Sequence, residues 1–285
     1  MENAIEIKGL TKNYRDFILN DISLDIPKGC VVGLIGENGA GKSTLIQSIL
    51  GVIECQYDKL NYFGLDFGTY EKKIKEDIAV IFDNTHYNLE FTPYFIGKLL
   101  EEIYDNFDQD LYLQYLLQFD LPVKKKLKTF SRGMKMKLEF AIALSHHAKI
   151  LILDEATSGL DPVVRDDILS MIRDFTQNEE HTVLISSHIT SDLDKIADYI
   201  AYIHRGRLLF MKPYDVLHDE YGIVHLSKQQ FDVIHKDQII SFIKEEYQYS
   251  VLIGNRYDFH KEFPNLEILR PSVEEIMLFY VKGVE

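Results

Sequence analysis

The chain has 285 residues, with 31 Lys and Arg against 45 Asp and Glu, a net charge of −14. That length supports one large domain or two small ones, and 46% hydrophobic content supplies a buried core, which excludes a disordered chain or a disulfide scaffold. The acidic balance argues against unaided nucleic-acid binding and against electrostatic docking on anionic lipid.

Cys30 and Cys55 have no metal-binding or redox spacing and read as packing residues in a reducing compartment. The mixed, acidic N-terminus is not a signal peptide, and no apolar run is long enough to span a bilayer.

Short β-branched runs predict strands at Ala4–Ile7, Phe17–Ile26, Val31–Ile35, Ile78–Phe82, Ile150–Leu153, Val183–Ser186, Tyr199–Ile203 and Arg207–Phe210. Between them, amphipathic patterns predict helices at Lys42–Leu50, Pro93–Ile103, Leu111–Phe119, Arg132–His147, Val163–Phe175 and Ile189–Ile196. Alternation of this kind predicts an α/β fold with a mostly parallel sheet. The first two strands leave no room for a crossover helix, so an N-terminal antiparallel β part precedes that sheet. Residues 85–128 form a helical insertion, aromatic and acidic. His146 and His147 read as helix-end residues whose positive character suits the dipole. A cassette over residues 1–213, with a helical part over about 85–147, is followed by a small C-terminal α+β appendage at 214–285. Its strands lie near Ile223–His225, Ser250–Ile253 and Leu266–Leu269, and its last helix is capped by Ser272 with Glu274 and Glu275 in the first turn.

Gly36-Glu37-Asn38-Gly39-Ala40-Gly41-Lys42-Ser43-Thr44 fits the P-loop pattern between a strand and a helix. The glycines let backbone N–H groups turn inward, and the helix dipole adds positive character. Lys42 is placed to reach the β- and γ-phosphates, and the Ser43 hydroxyl to ligate Mg²⁺. No guanine-reading Asn-Lys-x-Asp occurs, which disfavours GTP. Downstream, the apolar run Leu151–Leu153 ends in Asp154 and Glu155. Asp154 fits a Mg²⁺-holding role, and Glu155 can polarise the water that attacks the γ-phosphate. Asp161, in the Ser158-Gly159-Leu160-Asp161-Pro162 turn that follows, is a further nucleotide-contact candidate, and Pro162 can open the next helix.

Phe130-Ser131-Arg132-Gly133-Met134 precedes another strong helix. Ser131 is a good N-cap, and Gly133 permits close approach of a phosphate. A second phosphate-binding helix end makes sense if it serves the ATP of another subunit. The segment resembles the signature motif of ATP-binding-cassette ATPases, commonly Leu-Ser-Gly-Gly-Gln. With it, His188 matches the family's γ-phosphate switch histidine and Tyr14 the aromatic that stacks on adenine. The resemblance spans residue 4 to about 211.

The chain departs from the family pattern at four places, one of them the harmless Ala156 where a Pro is frequent. Asp83 stands where a Gln normally touches Mg²⁺, Arg132 replaces the first signature glycine, and Met134 replaces the signature Gln. A non-Gly residue at 132 implies ordinary φ < 0. The Phe82-Asp83 step, the Ser131–Lys137 stretch and the Ser187–Thr190 turn resemble the bacterial ABC-2-type exporter branch, the bacitracin-resistance and phenol-soluble-modulin exporter kind. That resemblance implies an ATPase using ATP and Mg²⁺ to drive export of antimicrobial or amphipathic peptides. It also implies a separate transmembrane permease, a homodimer or heterodimer of cassettes meeting head to tail, and a place at the cytoplasmic face of the membrane. Two other readings remain: a nucleotide-sensing regulator, motivated by Asp83 and Arg132, and a soluble cassette acting on nucleic acid or ribosomes.

Overall fold

A computed structural model describes residues 2–83 and 86–284. Asn84 and Thr85, where the insertion was expected to begin, lie outside the described residues.

In chain order the elements are β1 (Asn3–Asn13), β2 (Ile18–Pro27), β3 (Val31–Ile35), α1 (Lys42–Ile49), β4 (Lys59–Tyr62), β5 (Leu65–Asp66), α2 (Phe67–Glu76) and β6 (Ile78–Phe82). The helical part holds α3 (Pro93–Ile103), α4 (Gln109–Gln118) and α5 (Arg132–Ser145). Next come β7 (Ile150–Asp154), α6 (Pro162–Phe175), β8 (Thr182–Ser187), α7 (Thr190–Leu193), β9 (Tyr199–His204) and β10 (Arg207–Pro213). The C-terminal part contains β11 (Gly222–Leu226), α8 (Lys228–Phe231), β12 (Ile239–Lys244), β13 (Tyr249–Ile253), α9 (Arg256–Glu262), β14 (Ile268–Leu269) and α10 (Val273–Lys282).

The central sheet has six strands in the order β10-β9-β3-β8-β7-β6, all parallel except β10. Its inner strands β3, β7 and β8 are buried on both faces, and alternate residues serve different cores. Val32, Leu34, Ile152 and Leu184 face α1 and the N-terminal strands. Val31, Ile35, Leu151, Leu153, Val183 and Ile185 face α5, α6 and, further along, Ile276 and Phe279 of α10. The N-terminal antiparallel sheet, β2-β1-β4-β5, and the C-terminal antiparallel sheet, β12-β13-β11-β14, flank this centre. The α/β expectation, with an N-terminal antiparallel part, a helical insertion and a small C-terminal α+β appendage, is therefore met.

The differences in detail have physical causes. β1 runs past Ile7 to Asn13 because irregular pairing, with Gly9 at φ 65°, lets it bend along β2. The hairpin β4–β5 turns on Phe63 and Gly64, both at positive φ (48° and 76°). A Phe-Gly pair is not the usual Asn-Gly signal, so that hairpin was not expected. The helix expected at Ile189–Ile196 is only the four residues of α7.

His146 corrects the helix-dipole reading. It caps α5 but is buried, stacked on Tyr104 at 4.7 Å between ring centroids, with its ring nitrogens 3.3 Å and 3.2 Å from the Ile142 and Ile78 carbonyl oxygens. Burial pushes its pKa below the usual histidine value, so the ring is neutral near pH 7. Only the neighbouring His147 is exposed.

Candidate nucleotide-binding site

The loop between β3 and α1 depends on two glycines for different reasons. A Cβ on Gly36 would stand 2.4 Å from the Ile203 carbonyl oxygen. Gly41, the N-cap of α1, has φ 112°, and a Cβ there would lie 2.8 Å from the Phe17 ring. No side chain caps α1, so its first-turn N–H groups are free of side-chain acceptors. Such an end attracts anions. Behind the loop, the Ala40 N–H donates to the Glu37 carbonyl at 3.0 Å.

Lys42 is only 5% exposed. Its Nζ donates to the Gly36 carbonyl at 2.8 Å and, more weakly, to that of Glu37 at 3.4 Å. It also lies 3.3 Å from Glu155 Oε1.

Opposite the loop, two parallel strands deliver the acids. Asp154 ends β7 and is 7% exposed; its Oδ1 accepts from the Ser186 hydroxyl at 2.6 Å. The in-register pairing of Asp154 with Ser186 on β8 places that hydroxyl. Glu155 follows with φ 54°, a left-handed conformation uncommon outside glycine. Its N–H donates to Ser186 Oγ at 3.0 Å and also approaches the Ser186 carbonyl at 3.2 Å. The carboxylate then stands between Lys42 and His188, with Oε2 2.5 Å from His188 Nδ1.

A cavity of about 760 Å³ joins these groups. Asn38, Gly39, Gly41, Lys42, Ser43 and Thr44 line it from the loop, with Asp83, Glu155 and His188 across from them. Tyr14, 46% exposed, also lines it, with Lys12 Nζ 5.2 Å from its ring centroid. Sequence reasoning missed Asp16, Phe17 and Ser158 in this lining, and Ser186 behind it. Ser186 had a readable signal, since paired hydroxyls close the apolar run Val183–Ile185. Phe17 had none, because it reads as ordinary strand hydrophobe.

Gly36, Glu37, Ala40 and Asp154 are not among the residues that line this cavity, and Ser131, Arg132, Gly133, Met134 and Asp161 do not line it either. Ser131 caps α5 by accepting from the Met134 N–H at 3.2 Å. Arg132 starts that helix, in keeping with ordinary backbone angles there. Its Nη2 donates weakly to the Asp83 carbonyl at 3.4 Å, and a Cβ on Gly159 would lie 2.7 Å from its Nη1. Gly133 faces Val164, whose Cγ1 would be 2.9 Å from an added Cβ. The Asp161 carboxylate caps α6, accepting from the N–H groups of Val163 and Val164 at 3.2 Å and 3.1 Å. The α5 N-terminus therefore serves no ligand within this cavity.

A β-strand, phosphate loop and helix facing two strand-end acids define a P-loop nucleoside triphosphatase. Residues 19–158 match the family described as ABC transporter. The chain is 31% identical over 265 residues to the bacitracin transport ATP-binding protein BcrA of Bacillus licheniformis, across 84% of this chain and 85% of that protein. It is 33% identical over 214 residues to the lantibiotic transport ATP-binding protein SrtF of Streptococcus pyogenes, across 74% of this chain and 91% of that protein. A solved structure described as the ATP binding subunit of an ABC transporter superposes with a TM-score of 0.68 at 25% identity, covering 75% of this chain and 92% of that one. The chain belongs to the ATP-binding subunits of ABC transporters, and its activity is ATP hydrolysis. Among the described residues no helix is long and apolar enough to cross a membrane.

Proposed function

We propose that this subunit energises export of an antimicrobial or amphipathic peptide through a separate ABC-2-type transmembrane permease at the cytoplasmic face of the membrane. The bacitracin and lantibiotic transport relatives support the cargo class. The observation that carries the reading is the division of the site. Lys42, Glu155 and His188 meet in one cavity, whereas Ser131–Met134 end a helix outside it. Two cassettes placed head to tail would bring each α5 end to the other's cavity, around two ATP molecules.

In that arrangement Tyr14 stacks on adenine and the loop N–H groups of Gly39 to Thr44 hold the phosphates. Lys42 neutralises their charge. Glu155 orients the attacking water, and His188 fixes Glu155 and meets the γ-phosphate. Asp161, Arg132, Gly133 and Met134 act across the dimer interface. Ser43 and Asp154 are the proposed Mg²⁺ ligands, with Asp83 beside them. Among the described residues no cluster of three or more His, Cys, Asp or Glu could cage a metal alone. A hydroxyl and one or two carboxylates still fit Mg²⁺, which takes its other oxygens from phosphate and water. When bound, the ion neutralises charge on the transferring phosphoryl group.

Glu155→Gln is the test. The variant should lose turnover by at least about 100-fold while accumulating a stable dimer with ATP on size-exclusion chromatography. A monomer with unchanged phosphate release would sink the reading. The regulator reading draws on the Arg132–Asp83 contact. It predicts negligible phosphate release with and without the permease.

A further inference from the structure

The switch histidine is carried on a short turn, and that turn is fastened from outside the cassette. Ile189 follows His188, and its N–H donates to Ser187 Oγ at 2.9 Å. Then α7 begins at Thr190, which is 9% exposed. On its inner side Leu193 is fully packed against β3, where a Cβ on Gly33 would lie 2.8 Å from Leu193 Cδ1. Three residues before Leu193, Thr190 Oγ1 donates to Glu274 Oε1 at 3.0 Å, across 84 positions of sequence.

Glu274 sits in the first turn of α10, within the C-terminal region to which no role has been attached. The capping box of that helix uses Ser272 and Glu275, so the Glu274 carboxylate is not needed to start the helix. A second tie lies one turn further on, where the Tyr214 hydroxyl donates to Asp194 at 3.2 Å. Burial pushes the Asp194 carboxyl up, and the nearby Glu274 charge pushes it the same way. Val273, Ile276 and Phe279 of α10 belong to the same apolar core as Leu193, so the anchoring helix is itself fixed.

We propose that Glu274 is a positioning residue for His188, and that residues 214–285 thereby set the rate of hydrolysis. The inference rests on the reading of His188 as the γ-phosphate switch. Glu274 touches neither nucleotide nor reacting water; it holds Thr190, and Thr190 fixes the turn that aims the imidazole at Glu155 and the phosphate. A turn freed at Thr190 lets the imidazole drift, and small misplacements of catalytic groups are costly in rate. Binding of ATP is left alone, because the phosphate loop and Tyr14 lie on other elements.

The test uses the full-length chain with Thr190→Val, which keeps shape but loses the hydroxyl, and Glu274→Ala. Each should lower kcat about tenfold with KM for ATP within about twofold, and the double variant should add little. Thr190→Ser and Glu274→Gln, which restore a donor and an acceptor oxygen, should recover most of the loss. Rescue of that kind separates positioning from general loosening of the fold. If Thr190→Val and Glu274→Ala keep wild-type kcat while His188→Ala is inactive, the positioning role is overturned and the site reading stands. If His188→Ala itself keeps full turnover, the site reading fails first.

Discussion

The chain has two helix ends suited to phosphate, and they are built differently. The α1 end has no side-chain cap and a left-handed glycine at its head, with Lys42 and Glu155 in contact beside it. The α5 end has a serine cap that occupies one N–H and an arginine turned toward the Asp83 carbonyl. The first presents its donors within one chain's own cavity. The second is a finished helix start whose serine cap and arginine are already engaged within the chain. The proposed head-to-tail dimer would use this contrast: the α1 end opens on the cavity that Lys42, Glu155 and His188 share, and the α5 end does not line that cavity.

Exchanging the glycine at each end should break this comparison most strongly. Gly41→Ala forces a side chain into φ 112° and against Phe17. It should weaken ATP binding by at least about tenfold, since the left-handed region alone costs about 1–2 kcal/mol for an L-residue. Gly133→Ala meets only the movable Val164 side chain. It should leave ATP affinity of the single subunit intact while reducing turnover. Fluorescent-nucleotide titration and phosphate release, measured on both variants, give the two readings.

A smaller effect is expected from Ser131→Ala, which frees the Met134 N–H and should cost about 1 kcal/mol of stability, seen as a lowered Tm. No equivalent substitution exists at α1, which lacks a cap.

The far end of α5 gives the smallest effect. His146 has its folded pKa pushed below the ordinary 6.5 by burial. Just under that value the unfolded chain binds more protons than the folded one, so stability is full above it and falls as pH drops through the window. Thermal unfolding between about pH 7.5 and about pH 5.5 should show this decline. His146→Gln should flatten it.

Much of the site was legible because its chemistry lies in contiguous residues. Gly36–Thr44 and Leu151–Glu155 each join a strand to a phosphate or acid position, and both strands lie where the pattern put them. What escaped the sequence was made by pairing across the fold. Ser186 matters through its register with Asp154, and Thr190 through a helix 84 positions away. The α2 helix escaped for a local reason: only Phe67 and Ile74 are buried along it, too sparse for a periodic stripe. The strand β12 and helix α9 escaped in the same C-terminal region where patterning is weakest.

The contact between Lys42 and Glu155 has one more consequence. At 3.3 Å the lysine is the counter-ion of the carboxylate. In the proposed binding mode a phosphate entering the loop competes with the carboxylate for that same cation. Arrival of the phosphate would then exchange one anion for another at a single ammonium group, leaving His188 Nδ1 as the carboxylate's remaining partner.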